Sequence, residues 1–172
     1  MSSGRTIRGE DWWRGRVWLF PVTYLVHIAD ERLVGGGLGA WASQHVSRGF
    51  TQQEFLAVNG IALVLMVLSS AAAFTRPGFG WMVVTLGTIA GINGVVHVTA
   101  SAITRSYSPG TLSGGILWVP LGILALYDAR RWLRPVVFIA AVAAGVVSLG
   151  IVFGVAGLLG GTKDDLLLRF GL

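Results

Sequence analysis

Five long apolar segments constrain the fold of this 172-residue chain more than any other feature. Each has roughly 17 to 25 residues, the length that an α-helix needs to cross about 30 Å of hydrocarbon at about 1.5 Å per residue. Gly, Pro and charged residues occupy the breaks between the segments, where helices should end. The sequence therefore predicts an all-α fold, a polytopic transmembrane bundle of about five helices. The segments cover residues 17–34, 54–74, 81–102, 111–127 and 135–159.

The composition is typical of a membrane protein. Hydrophobic residues make up 53% of the chain and charged residues only 12%, and the mean hydropathy is +0.70. The formal net charge is +5, but the basic residues lie at the ends of apolar segments rather than in one basic domain. We therefore expect contact with the lipid bilayer and its anionic headgroups, and no nucleic-acid partner. The chain has no cysteine, which excludes a thiolate metal site.

The distribution of basic residues predicts the topology. We expect a basic N-terminal tail over residues 1–16, a transmembrane domain over residues 17–159 and a short polar C-terminal tail over residues 160–172. If the five helices alternate in direction, one side of the membrane carries Arg5, Arg8, Arg14, Arg16, Arg76, Arg130, Arg131 and Arg134, and the other carries Arg48, Arg105, Lys163 and Arg169. Basic residues concentrate in cytoplasmic loops, so we predict a multi-pass protein of the cell membrane with a cytoplasmic N-terminus. The oligomeric state stays open.

The first apolar segment carries four ionisable side chains within six residues, HIADER, from His27 to Arg32. A charged group near the bilayer centre costs at least about 2.5 to 3.5 kcal/mol, so such side chains normally face a cavity or one another. The spacing of Tyr24, His27 and Glu31 places them on one stripe of a helix, with Asp30 one position round from Glu31. This stripe is the strongest candidate for a functional site.

The third apolar segment contributes polar groups at a similar depth. Counted from the predicted outer ends of the helices, His27 lies about 10 Å deep, Asn93 about 13 Å and His97 about 7 Å. We therefore expect these side chains to converge in one half of the bilayer. Gly87 and Gly91 form a small-residue pattern that lets a neighbouring helix approach the third segment closely.

Two stretches, LVHIADE at residues 25–31 and NGVVHVTASAITRSYSPG at residues 93–110, resemble the HXXEE family of small integral membrane proteins. The family signature is a His, two intervening residues and two acids, followed by Asn-x-x-x-His and by Tyr-x-Pro-Gly. The matching residues are His27, Asp30, Glu31, Asn93, His97, Tyr107, Pro109 and Gly110. The resemblance runs from about residue 18 to residue 120. Asp30 stands where the family usually has Glu, and its carboxylate is shorter by one methylene. The resemblance supports the choice of residues rather than a particular chemistry.

Imidazole and carboxylate groups in one cluster form a ligand set suited to a divalent metal, Zn or, where carboxylates are numerous, Fe or Mn. The candidate ligands are His27, Asp30, Glu31, Glu54 and His97, with Asn93 as a weak ligand or as a group that orients His97. The candidate catalytic groups are Glu31 as ligand or general base, Asp30, and Tyr107 as proton donor.

Each of these residues also has a structural interpretation. The two histidines could be neutral side chains that are hydrogen-bonded within the bundle. Asp30 could mark the end of the first helix, and Glu54 could complete a capping box with Thr51 in the stretch TQQE. Tyr107 could serve a turn formed with Pro109.

The sequence favours a membrane-embedded, metal-dependent enzyme that acts on a lipophilic substrate, a lipid, isoprenoid or quinone-like molecule, reaching the site from the bilayer. The alternatives are a transporter or channel component with a His and carboxylate pathway for protons or cations, and a non-catalytic membrane scaffold. Five helices without an inverted repeat argue against a complete secondary transporter.

Overall fold

The computed structural model describes the backbone of residues 9–45, 51–76 and 78–170, and the side chains of residues 11–45, 51–76 and 78–156. All regular secondary structure in these residues is helical. The helices are α1 (Gly9–Arg16), α2 (Leu19–Leu33), α3 (Leu38–His45), α4 (Gln52–Thr75), α5 (Trp81–Thr104), α6 (Thr111–Ala129) and α7 (Pro135–Phe170). Within α6, residues Gly114–Trp118 form a π-helical turn.

Helices α4, α5, α6 and the part of α7 up to Ala156 are long and apolar enough to cross a membrane. They coincide with the last four apolar segments of the sequence, so the predicted helical membrane bundle is confirmed. These four helices fit a multi-pass membrane protein. Helix α7 has 36 residues and continues to Phe170, through most of the segment that we assigned to a polar tail.

Helix α2 is shorter than expected, with 15 residues and a length of about 22 Å. It nevertheless runs between the same two ends of the bundle as its neighbours. Before its first turn, the carbonyl oxygen of Val17 accepts a hydrogen bond from Ser70, near the end of α4. In its last turn, Asp30 accepts one from the backbone of Ser113, at the start of α6. The first apolar segment therefore runs antiparallel to α4, as the alternating topology requires.

The connections lie at two opposite ends of the bundle. At one end, the indole of Trp13 in α1 donates to Asp128 near the end of α6, and Arg14 donates to the carbonyl of Phe74 near the end of α4. At the other end, Trp41 in α3 donates to Ser106 in the loop between α5 and α6. The ionisable residues of α2 lie towards this second end.

Helix α5 lies at the centre and packs against α6 through small residues. A Cβ atom added to Gly122 in α6 would lie 2.6 Å from the carbonyl oxygen of Gly87 and 2.8 Å from Cα of Gly91. Further along, a Cβ atom on Gly94 would lie 2.6 Å from the carbonyl oxygen of Gly114. The two backbones touch, as the small-residue pattern predicts, and this contact fixes the position of α5 against α6.

Candidate functional site

Three buried side chains meet at one point in the bundle, two from α2 and one from α5. Oε1 of Glu31 lies 3.4 Å from Nε2 of His27 and 3.1 Å from Nε2 of His97. The exposed fractions of His27, Glu31 and His97 are 0%, 6% and 6%. The two imidazole rings cross almost at right angles, with centroids 5.0 Å apart. These residues converge as their matched depths predict, and we call them the His/Glu cluster.

The stripe on α2 positions two of the three groups. Tyr24, His27 and Glu31 are all buried against the bundle, whereas Leu25 and Val26 on the other side of the helix are exposed. One amphipathic pattern thus turns the polar side chains inward and the aliphatic ones outward, which is the arrangement that lowers the cost of polar groups in a membrane.

A glycine turn closes over the two imidazoles. Gly110 has φ +96°, a conformation that side chains other than glycine rarely adopt. A Cβ atom at this position would lie 2.9 Å from Cε1 of His27 and 2.8 Å from Cε1 of His97. Glycine is therefore needed here both for the backbone conformation and for the close approach to both rings.

A hydrogen-bonded chain determines the tautomer of His27. Ser113 donates its backbone N–H and its hydroxyl to Oδ2 of Asp30, at 2.9 and 2.7 Å. Nδ1 of His27 lies 2.8 Å from the same Ser113 oxygen. Because the single hydroxyl proton is directed at the carboxylate, the Ser113 oxygen accepts a hydrogen bond from Nδ1–H of His27. In the neutral ring, Nε2 then keeps its lone pair on the side of Glu31.

Asp30 does not join the His/Glu cluster. Its second oxygen, Oδ1, accepts a 2.7 Å hydrogen bond from the hydroxyl of Tyr107, so both carboxylate oxygens have partners. Tyr107 also accepts from the backbone of Leu112. Burial, together with the hydrogen bond to Asp30, raises the pKa of Tyr107 above its ordinary value. Asp30 and Tyr107 thus support Ser113 rather than contacting the cluster.

Asn93 contacts a different histidine from the one expected. Its Nδ2 lies 2.9 Å from Nε2 of His27, which the amide can approach as a donor because that nitrogen carries a lone pair. His97 is contacted instead by Ser108, with 3.4 Å between Nδ1 and Oγ. Asn93 therefore borders the cluster, but it orients His27 and not His97.

Glu54 lies outside the cluster, at the start of α4. Its carboxylate accepts from the backbone N–H of Thr51, and the Thr51 hydroxyl accepts from the backbone N–H of Glu54. Both hydrogen bonds of a capping box are present, so Glu54 caps the start of α4, as its structural interpretation predicts.

Sequence reasoning missed Ser113, Ser108 and Trp118. The indole of Trp118 stacks on His27 with ring centroids 4.2 Å apart, and its N–H has no hydrogen-bond partner in the described part of the chain. The sequence position of Ser113, three residues after Gly110, could have indicated a role near the site. Small polar residues are too common at the starts of helices for this position alone to identify it.

The family model described as a protein of unknown function with an HXXEE motif matches residues 18–125. The chain belongs to the HXXEE family. The match extends from the residue before α2 into α6, so it covers every residue of the His/Glu cluster and the turn above it. No curated protein and no solved structure matches the chain.

In this HXXEE protein two members of the His/Glu cluster, His27 and Glu31, line a cavity of about 470 Å³. Towards the end of the bundle that carries the cluster, the polar lining comprises Tyr24, His27, Glu31, Asn59 and Asn93. Ser69, Thr85 and Ser148 add hydroxyl groups further along the cavity. Tyr24 donates to the side-chain oxygen of Asn59 at 2.7 Å, which joins α2 to α4 at the end that carries the cluster. Aliphatic and aromatic side chains of α4, α5 and α7 form most of the remainder, among them Leu65, Met66, Leu86, Ile89, Leu149, Val152 and Phe153.

The His27, Glu31 and His97 group could hold one metal ion, because their ligand atoms all lie within 4.8 Å of one another. Ligands on a tetrahedral metal with bonds of about 2.0 to 2.2 Å are about 3.3 to 3.6 Å apart. The observed separations of 3.4 and 3.1 Å are close to this range. Three protein ligands would leave one coordination position for a water or a substrate atom.

Proposed function

We propose that the protein is a membrane-embedded, metal-dependent enzyme that acts on a lipophilic substrate. One observation carries the proposal: His27 and Glu31, two members of a buried group of two imidazoles and one carboxylate, line a largely apolar cavity. Catalytic metal sites commonly have three protein ligands and one open position. The two imidazoles favour Zn, and the carboxylate is compatible with Fe or Mn.

In this proposal each side chain has a distinct task. His27 and His97 bind the metal through Nε2, and Glu31 binds it or acts as general base towards a bound water. A divalent metal at such a site lowers the pKa of bound water or polarises a substrate oxygen. A metal on His27 would take the Nε2 lone pair that Asn93 contacts, so the amide of Asn93 would then be free to hydrogen-bond a substrate or water at the metal. Asp30 and Tyr107 act indirectly, because they hold Ser113, which in turn holds His27.

We also propose that the N-terminus is cytoplasmic and that the protein resides in the cell membrane. The end of the bundle at Trp13 and Phe74 also carries Arg76 and the cluster Arg130 and Arg131. The positive-inside rule assigns this end to the cytoplasm, which places the His/Glu cluster in the outer half of the membrane.

The test is metal content per chain in detergent-purified protein, after loading with Zn²⁺, Fe²⁺ or Mn²⁺ and removal of free metal. We expect close to one ion per chain in the wild type, and its loss in His27→Ala and His97→Ala. His45→Ala is the matched control, because His45 lies exposed at the end of α3 and stacks on Trp41. This variant should keep its metal.

Thermal stability of the same samples separates the proposal from its alternatives. A folded wild type that retains no ion would overturn the metal-dependent enzyme. Loss of stability in His27→Ala without metal in the wild type would support the scaffold, since truncation leaves a buried partner unsatisfied. Proton or cation flux into liposomes without bound metal would support a pathway instead.

A further inference from the structure

The cavity beside the His/Glu cluster has the shape of a site for one amphiphilic molecule. Its volume of about 470 Å³ lies within the range of about 300 to 1,000 Å³ that is usual for small-molecule pockets. Buried polar groups of α2 and α5, His27, Glu31 and Asn93, line one part of the cavity, and aliphatic and aromatic side chains of α4 and α7 form most of the rest, with Ser69 and Ser148 between them. A bound molecule would therefore place a polar head at Glu31 and Asn93 and an apolar chain between α4 and α7.

The apolar lining on α4 and α7 reaches the outer surface of the bundle. Leu65 of α4 and Ile151 and Phe153 of α7 line the cavity, yet their exposed fractions are 59%, 61% and 46%. These positions face the surrounding lipid, so an apolar chain can pass between α4 and α7 directly from the bilayer.

The charged groups in the lining determine which heads can bind. Among the described residues that line the cavity there is no Lys or Arg, and Glu31 is the carboxylate. Proteins usually bind phosphate through Arg, Lys or backbone N–H groups at a helix N-terminus. The cavity lining offers a phosphate no cationic side chain of this kind.

A bound metal does not reverse this conclusion. A divalent ion would bring two positive charges, and the two buried carboxylates of α2, Glu31 in the cluster and Asp30 beside it, would together bring two negative ones. With both imidazoles neutral, the metal, Glu31 and Asp30 together would carry no net charge. A phosphate monoester would then bring uncompensated negative charge into a buried site, which is unfavourable.

We infer that the cavity takes an amphiphile with an uncharged, oxygen-containing head, such as an isoprenoid or long-chain alcohol or carbonyl compound, and discriminates against its phosphorylated counterpart. This inference rests on the proposed function and names the class of its substrate. The Asn93 amide and the Tyr24 hydroxyl provide polar contacts for such a head.

The experiment measures binding of farnesol and of farnesyl phosphate to the full-length, metal-loaded protein in nanodiscs of neutral phospholipid. We expect saturable binding of farnesol, and binding of farnesyl phosphate that is weaker by about tenfold or more, because a buried charge without a partner is costly. Ser148→Trp fills the cavity from α7 and should abolish farnesol binding. Val147→Trp, at the neighbouring exposed position outside the lining, should preserve it.

A second pair of variants, on α4, tests the inference independently in case Ser148→Trp does not fold. Leu65→Trp fills the cavity from α4, and Leu68→Trp is its exposed control outside the lining. Equal or tighter binding of farnesyl phosphate overturns the inference, as does unchanged farnesol binding in a folded cavity-filling variant.

Metal content is measured on the same samples. Bound metal without farnesol binding refutes the substrate class alone, whereas farnesol binding without metal refutes the metal-dependent enzyme alone.

Discussion

Replacing Ser113 with Ala tests the hydrogen-bonded chain that holds His27. The change removes the hydroxyl that lies 2.7 Å from Asp30 and 2.8 Å from Nδ1 of His27, but it leaves the 2.9 Å bond from the backbone N–H of Ser113 to Asp30. His27 then loses the acceptor for Nδ1–H, so neither its ring orientation nor its tautomer is fixed.

The expected magnitude follows from these two contacts. Loss of a group that orients a metal-binding His typically weakens metal affinity by about 10- to 100-fold. A hydrogen bond to a charged group contributes about 1.5 to 3 kcal/mol to stability, and Asp30 loses the one from the Ser113 hydroxyl while it keeps those from Tyr107 and from the Ser113 backbone. We therefore expect Ser113→Ala to show weaker metal binding and a lower melting temperature, while it remains folded.

The assay is competition of the protein with a chelator of known affinity, together with nitrogen NMR of the labelled histidines. In the wild type His27 should carry its proton on Nδ1, and in Ser113→Ala this preference should be lost. Ser70→Ala is the control, because Ser70 is also fully buried and donates to the backbone of Val17, far from the cluster. Metal affinity within about twofold of wild type, equal to that of Ser70→Ala, would refute the reasoning, since a positioning group should matter about tenfold or more.

Three further predictions follow from the turn, the cap and the topology. Gly110→Ala should lose metal and melt at a lower temperature, because its methyl group would overlap both imidazoles; Gly36→Ala shares the positive φ but has open space around it, so measured metal content should not fall. Glu54→Ala should lower the melting temperature by removing one bond of the helix cap without changing metal content, and a loss of metal would contradict its assignment. Topology reporters fused after Gly78 and after Ser106 should report from opposite sides of the membrane, and agreement between them would show the alternation to be wrong.

The convergence of His27, Glu31 and His97 was predictable from the sequence because it depends on few quantities. Apolar length fixes the helices, the rise per residue fixes the depth of each polar side chain, and the cost of burying charge turns these side chains inward. The small residues Gly87 and Gly91 were recognisable for a similar reason, since close helix packing needs no knowledge of side-chain conformation.

The sequence alone could not show that Asp30 bonds Ser113 and that Glu54 caps α4, rather than that both bind a metal. Asp30 and Glu31 are adjacent in sequence, and their side chains point about 100° apart around α2. In the structure Asp30 faces α6 and Glu31 faces α5, but this assignment depends on how α2 is rotated about its own axis. That rotation depends on how α2 packs against α5 and α6, which a hydropathy pattern does not encode. Glu54 fits a ligand set by residue type, but its backbone partner Thr51 is only three residues away.

The π-helical turn in α6 explains how two residues of one helix reach the same imidazole. Ser113 bonds Nδ1 of His27, and Trp118, five residues later, stacks on the ring. In a regular α-helix, residues five apart point about 140° away from each other. The turn at Gly114–Trp118 inserts an extra residue and brings the two positions towards one face. Its glycine, Gly114, also allows the contact with Gly94, so one local departure from α-helical geometry both packs α6 on α5 and builds the wall of the site.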